Sequence, residues 1–390
     1  MSFPISTIKR ALHDGVRQLV SRPIYVIAMI VVPLFCAFFF LDLMSEGLPL
    51  QSPVAVVDLD NSPVSRNVTR NLGTLELIDI KYHASSYEEA MSLIKSGKIY
   101  GFFMIPRNFQ AEAESGREVA ITYYCNMAYY VPGTLSYKSF KQTAVTTSGG
   151  IAMTTLVGMG VPQDYVSTML QPVTTQQHPM GNPWLNYSIY LSNSFAPCVL
   201  QLMIFLVTVF SVLQEIKTGN STRWLSNAGG SIVVACAGKL VPQFIIFSVI
   251  GVAIQSAIFG YMGFPMNGSL TAMILAMLLF VAASQAFALF IASILPNLRL
   301  ALSIMSLVGI LSFSVAGFSF PVEDMYPAIG VFSYLLPVRY YFLIYVNTAL
   351  NGYEVYFCRW DYIALILFNV LPLLALWKLK KHSMTPVYIP

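Results

Sequence analysis

Most of this chain consists of long uncharged stretches. One polar region lies in its first half. Ile24–Leu41 contains eighteen residues without a charged side chain. Five further apolar runs follow in the second half: Ile189–Leu213, Leu240–Met262, Leu270–Leu295, Leu300–Phe320 and Trp360–Trp377. A transmembrane helix needs about 20 predominantly apolar residues. The pattern therefore predicts an α-helical integral membrane protein with six transmembrane helices.

Residues 1–23 precede the first apolar run and are predicted to form an amphipathic helix. Apolar residues recur in this segment at helical spacing: Ile5, Ile8, Leu12, Val16, Leu19 and Val20. Lys9, Arg10 and Arg17 lie between them. This pattern is typical of a helix that lies on a membrane with its basic face toward anionic lipid. Residues 24–42 then form the first predicted span, which Pro33 is expected to kink.

The stretch 43–187 has the mixed composition of a soluble domain. It holds nine Lys and Arg and eleven Asp and Glu between Met44 and Tyr187. Predicted strands and helices alternate along it: strand Val54–Asp58, helix Pro63–Leu72, strand Glu76–Tyr82, helix Ser86–Ser96, strand Ile99–Ile105, helix Pro106–Glu114, strand Glu118–Tyr124 and helix Tyr137–Leu170. Such alternation is typical of α/β layers. The sequence therefore predicts an α/β domain inserted between the first two spans.

Three oxygen-bearing residues, Asp58, Asp60 and Asn61, follow the first of these strands. Carboxylate and amide oxygens in a loop are metal ligands in many proteins. The same residue types after a strand also cap the helix that follows. The capping interpretation is favoured, and the metal loop is kept as the alternative.

Residues 188–378 carry the other five predicted spans, and a short tail, 379–390, follows. Within them, the aromatic-rich segment 321–359 is not a clean span. It contains polar or helix-breaking residues: Pro321, Glu323, Pro337 and Arg339. Two short helices that enter the membrane from one side, Tyr326–Leu336 and Arg339–Leu350, fit this pattern. We expect a re-entrant helical pair.

Composition and charge exclude several classes of protein and predict an orientation. The chain is 56% hydrophobic and 10% charged, whereas soluble proteins are about 25% charged. No basic tract suggests nucleic-acid binding. With the N-terminus inside, the short cytoplasmic pieces hold eleven Lys and Arg, and the short external pieces hold only Arg339 and Arg359. This asymmetry predicts that both termini are cytoplasmic and that 43–187 is extracytoplasmic, which in a bacterium means the inner membrane and the periplasm.

The segment Gln214–Leu225, QEIKTGNSTRWL, which we call the hinge segment, interrupts the apolar second half with charges. A charged residue at the bilayer centre costs about 2.5–3.5 kcal/mol, so this segment must reach water. We predict a short helix that receives force from another protein. Its candidate contacts are Glu215, Lys217, Gly219, Arg223 and Trp224. Trp224 is equally compatible with a membrane-interface anchor and with a contact to the partner.

Uncharged polar residues inside the predicted spans are costly unless they face protein or a water-filled cavity. Four amides are candidates for a substrate path: Asn193, Gln201, Gln255 and Gln285. Interhelical hydrogen bonds, which contribute about 0.6 kcal/mol on average, are the favoured alternative explanation.

The chain lacks the motifs of an ATPase or of a metal enzyme. No G-x-x-x-x-G-K-[ST] sequence occurs. The five cysteines have no metal-like spacing, and the four histidines are far apart. We therefore expect no cofactor, no metal and no catalytic residue, and a partner must supply any energy from ATP.

The order of these elements resembles the ABC-2 type membrane subunits of ABC exporters, in the subclass with a large extracytoplasmic domain between spans one and two. The resemblance covers nearly the whole chain. Apart from the hinge segment, its motifs are PVAVVDLDNSPVSR (Pro53–Arg66), YEEAMSLIKSGKIYGFFMIPRNF (Tyr87–Phe109), AGFSFPVEDMYP (Ala316–Pro327) and LLPVRYYF (Leu335–Phe342). The segment Gln214–Leu225 matches the family's charged turn with fewer charges.

This resemblance implies a permease subunit that moves a substrate out of the cytoplasm or the inner leaflet. The first helix is then the elbow helix, and Gln214–Leu225 is the coupling helix that docks on a separate ATPase subunit. A second permease subunit, identical or different, completes a dimer. A periplasmic adaptor and an outer-membrane channel are further partners that the resemblance leaves open.

Two alternatives come from other classes. A non-transporting membrane sensor or envelope scaffold would use the external domain to bind a ligand or a partner, but it needs few spans. A secondary transporter would show paired intramembrane acids or broken helices in repeated halves, and this sequence has neither.

The predicted orientation can be tested with single cysteines placed near Lys95, Asn220 or Lys380 in a cysteine-free background. A membrane-impermeant thiol reagent should label only the first position in intact cells with a permeabilised outer membrane. Labelling at Asn220 from outside would contradict both the orientation and the coupling-helix assignment.

Overall fold

The computed structural model describes residues 5–115, 117–170, 178–183 and 185–385. The chain forms two compact units: Met1–Gly47 together with His178–Pro390, and Leu48–Gln177. The predicted insert, 43–187, begins five residues before the second unit and ends ten residues after it. Some positions of the predicted elbow, insert and tail lie outside the described residues: 1–4, 116, 171–177, 184 and 386–390.

The first unit is helical and matches the predicted number of spans. Among the described residues, six helices are long and apolar enough to cross a membrane. We name them span 1 to span 6 in this order: Pro23–Leu43, Tyr187–Lys217, Ile232–Tyr261, Leu270–Ile294, Leu298–Val315 and Arg359–Met384. Between spans 5 and 6 lie two shorter helices, Pro327–Ser333 and Pro337–Leu350, which are bent by 78° relative to each other. This geometry fits a re-entrant pair or one broken span.

Span 2 lies at the centre of the helical unit. Spans 1, 3, 4 and 5 all pack against it, and its side chains Leu200, Ile204 and Phe205 are fully buried. A helix that is apolar all round is expected in such a position. Span 5 differs, because most of its residues are not buried in the protein and only one side contacts span 2.

Pro33 changes the helical geometry of span 1. A proline ring clashes with the carbonyl group four residues earlier, which here belongs to Met29. The helix takes a π-helical turn at Ile27–Val31, immediately before this proline. This π-helical turn accommodates the proline ring, and Pro23–Leu43 runs as one span.

The second unit is built on a four-stranded sheet. Its strands are β1 (Ser52–Asp58), β2 (Ile78–His83), β3 (Gly101–Ile105) and β4 (Thr122–Cys125). They lie in the order β2-β1-β3-β4, with β1 parallel to both neighbours and β4 antiparallel to β3. Helices Pro63–Gly73, Tyr87–Lys95 and Phe109–Glu114 alternate with the strands. The predicted strand–helix alternation is therefore present, and a small α/β sheet results.

The predicted helix Tyr137–Leu170 is two helices in the structure, Tyr130–Gly158 and Gln163–Leu170. The break lies at Gly160, whose φ is +87°, in the left-handed region that glycine adopts readily. Pro162 follows, and a proline favours the start of a helix over its interior.

Side chains of the central strands fill a core on each face of the sheet. Val54, Val56 and Phe103 belong to one buried cluster. Ala55, Val57 and Phe102 belong to the other. A strand buried on both faces needs consecutive apolar residues, which explains the β-branched run at the start of this unit.

Hydrogen bonds in the loop after β1 place Asp58 in a turn, and the cap of helix Pro63–Gly73 is Ser62, whose hydroxyl accepts from the Ser65 N–H at 3.0 Å. One Asp58 oxygen accepts from the backbone N–H groups of Asp60 and Asn61, each at 3.0 Å. Its other oxygen accepts from the Ser65 hydroxyl at 2.7 Å. Hydrogen bonding with Ser62 lowers the pKa of Asp60, with smaller contributions from backbone N–H groups such as that of Gln110. In the part of the chain that the structure describes, no group of three His, Cys, Asp or Glu side chains is placed to hold a metal ion.

The two ends of the insert meet within the helical unit. The backbone N–H of Tyr187 donates to the Gly47 carbonyl at 2.7 Å. Gly47 has a φ of +75°, and a Cβ at this position would lie 2.6 Å from the Asn186 side chain. Because the chain leaves and rejoins the helical unit at one point, the inserted unit need not disturb spans 1 and 2.

The inserted unit should unfold cooperatively as an isolated segment 48–177. Phe103 is fully buried, and its ring lies 4.6 Å from that of Tyr123, centroid to centroid. Phe103→Ala should lower the free energy of unfolding by about 3–5 kcal/mol, measured by urea titration. Exposed Lys98→Ala is the control, with an effect within about 0.5 kcal/mol. A segment that shows no cooperative transition would contradict an independent core.

Candidate functional site

The hinge segment is not a single helix. Gln214–Lys217 form the last turn of span 2, and a separate short helix covers Ser221–Asn227. The turn between them is a Schellman motif: the Asn220 N–H donates to the Glu215 carbonyl at 2.9 Å, and the Gly219 N–H donates to the Ile216 carbonyl at 3.2 Å. Gly219 has a φ of +73°, so the left-handed residue of this motif ends span 2. The predicted bounds Gln214–Leu225 therefore join two elements.

The short helix Ser221–Asn227 has one buried and one exposed face. Ser221, Trp224 and Leu225 are buried against the protein. On the other side the Arg223 side chain is exposed, and so is that of Lys217 in the last turn of span 2. Of the five predicted contact residues, the basic pair thus faces outward, together with Gly219. Trp224 faces inward, and Glu215 is mostly enclosed.

Lys239 of span 3 holds the buried face together. Its ammonium group donates to Glu215 Oε1 and to the Ser211 carbonyl, each at 2.6 Å. It also lies 4.9 Å from the centre of the Trp224 ring, within the range of a cation–π interaction. The Lys239 side chain is 4% exposed and that of Glu215 is 20% exposed. We call Ser211, Glu215, Trp224 and Lys239 the Lys239 cluster.

The N-terminal helix, Ile5–Ser21, packs against span 3 beside this cluster. The contact is close, because a Cβ on Gly15 would overlap the Gly238 carbonyl oxygen, and a Cβ on Gly238 would lie 2.6 Å from the Ala11 carbonyl oxygen. The buried stripe of this helix is Thr7, Ala11, Gly15 and Leu19. Small residues allow two helix backbones to approach in this way.

Two further hydrogen bonds tie the short helix to its surroundings. The Asn227 amide donates to Asp14 of the N-terminal helix at 2.8 Å. The Ser221 hydroxyl donates to the Ser383 carbonyl near the end of span 6 at 2.9 Å. Together with the Lys239 cluster, these bonds connect the short helix to the N-terminal helix and to spans 2, 3 and 6.

Three of the four predicted path amides bridge helices in the interior. Gln201 of span 2 donates to the Ser312 hydroxyl of span 5 at 3.0 Å and accepts from the Val338 N–H at 2.9 Å. Val338 lies in the first turn of Pro337–Leu350, where backbone N–H groups have no partner within the helix. Gln201 therefore also satisfies the start of the re-entrant pair.

Gln255 and Gln285 make similar bonds between helices. The Gln255 amide donates to the Met273 carbonyl and to the Tyr341 hydroxyl, each at 2.9 Å. The Gln285 amide donates to the Leu240 carbonyl at 3.3 Å. The amide of Asn193 is buried, and neither of its polar atoms makes a hydrogen bond of ordinary geometry to a described residue. Asn193 is thus the only one of the four without an interhelical bond of this kind among the described residues.

An apolar groove of about 440 Å³ lies between spans 1, 2 and 5. Tyr25, Phe210 and Ser306 are among its lining residues, and none of the four predicted amides is. The Tyr25 side chain is buried, and its hydroxyl has no partner among the described residues. Sequence reasoning missed Tyr25, because a tyrosine near the start of a span is ordinary.

Arg339 is the buried charge of the re-entrant segment, and Glu323 lies beside it. Its guanidinium is buried, 3.9 Å from Glu323 and 4.9 Å from the centre of the Tyr334 ring. It donates to the Ala316 carbonyl at 3.4 Å. Pro337 is buried at the start of the same helix, and Pro321 is exposed. Arg339, which was predicted as a residue of the external loop, is thus a buried link between span 5 and the re-entrant pair.

Sequence reasoning also missed the role of Lys239, which it counted only as a loop charge. The available signal was position: Ile232–Tyr261 is apolar on both sides of this lysine, and a charge inside a span needs a partner. Asp14 carried no comparable signal, since its partner Asn227 is remote in sequence.

Taken together, the six apolar helices and the buried polar links between them define a multi-pass membrane protein. A family model described as ABC-2 family transporter protein matches residues 23–378. The chain therefore belongs to this family, whose members are the membrane permeases of ABC transporters. A search of curated proteins found no match.

The close approach of the N-terminal helix to span 3 predicts that Gly238→Ala is destabilising. The added methyl group would force the two backbones apart, at a cost of about 1–3 kcal/mol. Thermal unfolding in detergent should therefore occur at a lower temperature. Gly260→Ala in the same span is the control, because a Cβ there would meet no atom within 4 Å. Equal unfolding temperatures for both variants would contradict the packing.

Proposed function

We propose that this protein is the permease subunit of an ABC exporter, with both termini in the cytoplasm and the inserted unit on the opposite side of the bacterial inner membrane. Membership of the ABC-2 family over residues 23–378 is the observation that carries this proposal. The basic residues of the short loops and ends support the orientation.

We infer that ATP hydrolysis occurs in a separate nucleotide-binding subunit, because the chain has no phosphate-binding motif of its own. That subunit docks on the short helix Ser221–Asn227 and the turn before it. The exposed side chains Lys217 and Arg223 support this assignment, since arginine is a frequent hot spot of protein interfaces. Glu215 and Trp224 are reassigned to the interior, where their contacts are already made.

The active assembly is a pair of permease subunits with a pair of ATPase subunits. The resemblance to ABC-2 permeases supports this, and span 5, most of which is not buried in the single chain, offers a face on which the second permease subunit packs. A periplasmic adaptor bound to the inserted unit is a further part of the proposal.

The cargo crosses near spans 1, 2 and 5 in this proposal. The groove of about 440 Å³ there is predominantly apolar but has the Tyr25 hydroxyl and two serines among its lining residues. An amphipathic or lipid-like cargo fits such a lining. Asn193 remains a candidate path residue, while Gln201, Gln255 and Gln285 are better explained as interhelical links.

The docking surface is tested by the double variant Lys217→Glu and Arg223→Glu. Both side chains are exposed, so the protein should insert and fold normally. Co-purification of the ATPase subunit from membranes should fall about tenfold or more, which corresponds to about 1.4 kcal/mol.

The matched control is Lys95→Glu with Lys98→Glu, which makes the same change of charge on exposed residues of the inserted unit. It should leave ATPase association unchanged. If no ATPase subunit accompanies the wild-type protein, the exporter proposal itself is contradicted. If the docking variant retains its ATPase, the docking site lies elsewhere.

A further inference from the structure

Lys239 is a buried cation whose contacts come from two different elements. It bonds to Ser211 and Glu215 in the last turns of span 2 and faces the ring of Trp224 in the short helix. We propose that Lys239 is a positioning residue, which holds the short helix at a fixed orientation to spans 2 and 3 and so couples a movement of that helix to both spans. This inference rests on the proposed function.

The short helix cannot set its own orientation. It has seven residues, and isolated helices of this length are not stable in water. Its direction must come from tertiary contacts. Burial of the apolar Leu225 side chain stabilises the contact but does not favour one orientation of the helix. Hydrogen bonds and a cation–π contact do favour one, because they require particular distances and angles between the interacting groups.

A lysine is specifically suited to this position. Two of the ammonium donors are used by Ser211 and Glu215, and the same charge lies over Trp224. An apolar side chain of similar size would fill the space but would leave the Glu215 carboxylate and the Ser211 carbonyl without this donor. Buried ion pairs are poor sources of stability but can select one geometry among several.

The backbone around Lys239 is itself held in place. The preceding residue, Gly238, is in direct backbone contact with Ala11 and Gly15 of the N-terminal helix. Asn227, the last residue of the short helix, bonds to Asp14 of that same helix. The short helix is therefore held at its centre by Lys239 and at its end by the N-terminal helix.

Docking and coupling use different residues in this arrangement. Lys217 and Arg223 are exposed, whereas the Lys239 side chain is 4% exposed. Removing the Lys239 charge should therefore leave the docking surface intact while weakening the contacts that hold the short helix against spans 2 and 3. An ATPase would still bind, but its movements would no longer reach the spans.

The test compares Lys239→Met with wild-type protein in the complex with its ATPase subunit. ATPase co-purification should stay within about twofold of wild type. The change in ATP hydrolysis that the permease imposes on its ATPase should fall about fivefold or more. Lys239→Arg retains the charge and should restore most of this effect. Lys381→Met is the control, since Lys381 is exposed and outside the cluster.

A second measurement reports orientation directly. Spin labels are attached at Thr222 in the short helix and Tyr261 at the far end of span 3, both exposed, in a cysteine-free background. The distance distribution between them should be narrow in wild type and in Lys381→Met, and clearly broader in Lys239→Met. Should Lys239→Met fail to fold, Glu215→Gln removes the paired charge with a smaller change in shape and should broaden the distribution too.

These measurements separate the two proposals. Unchanged coupling and an unchanged distance distribution in Lys239→Met would overturn the positioning role. Coupling lost in Lys239→Met but not restored by Lys239→Arg would also overturn it, because a packing defect would then suffice. Absence of any ATPase from the wild-type complex would contradict the exporter proposal, while the distance measurement would still decide whether Lys239 orients the short helix.

Discussion

The ion pair between Lys239 and Glu215 is the interaction on which one end of the helical unit depends. A lysine in an otherwise apolar helix is tolerated only with a partner, and this partner lies in the last turn of span 2 at 2.6 Å. The pair fixes span 2 against span 3 and places a cation beneath Trp224. Trp224 lies on the buried side of the short helix, and Arg223 on its other side is exposed.

The same principle operates deeper in the helical unit with uncharged groups. Gln201 joins spans 2 and 5 to the start of the re-entrant pair, and Gln255 joins span 3 to span 4 and to Tyr341. Between apolar helices, burial alone does not distinguish one rotation from another, whereas an amide with partners on two helices does. Polar side chains here specify helix positions, and they contribute little to stability individually.

The inserted unit is organised by a different constraint. Its sheet is covered on both faces, so the central strands need runs of consecutive apolar residues. Its polar residues are correspondingly found in caps and turns, as with Asp58 and Ser62 at the start of helix Pro63–Gly73. The helical unit thus uses polar side chains between its helices, whereas the inserted unit keeps them in caps and turns. Gly47 and Tyr187, which are hydrogen-bonded to each other, lie where the chain leaves and rejoins the helical unit.

The sequence by itself determined the six spans, the bent helical pair and the strand–helix alternation of the insert, because hydrophobic periodicity and turn residues act within a few positions. It also located the polar hinge. Only the tertiary structure decided which hinge residues face inward, since Glu215, which is mostly enclosed, and Trp224, which is buried, both contact Lys239 of span 3. Asp14 and Asn227 are 213 positions apart, and Gln201 and Val338 are 137 apart. Such pairings depend on how helices are arranged around one another, and no local pattern records that arrangement.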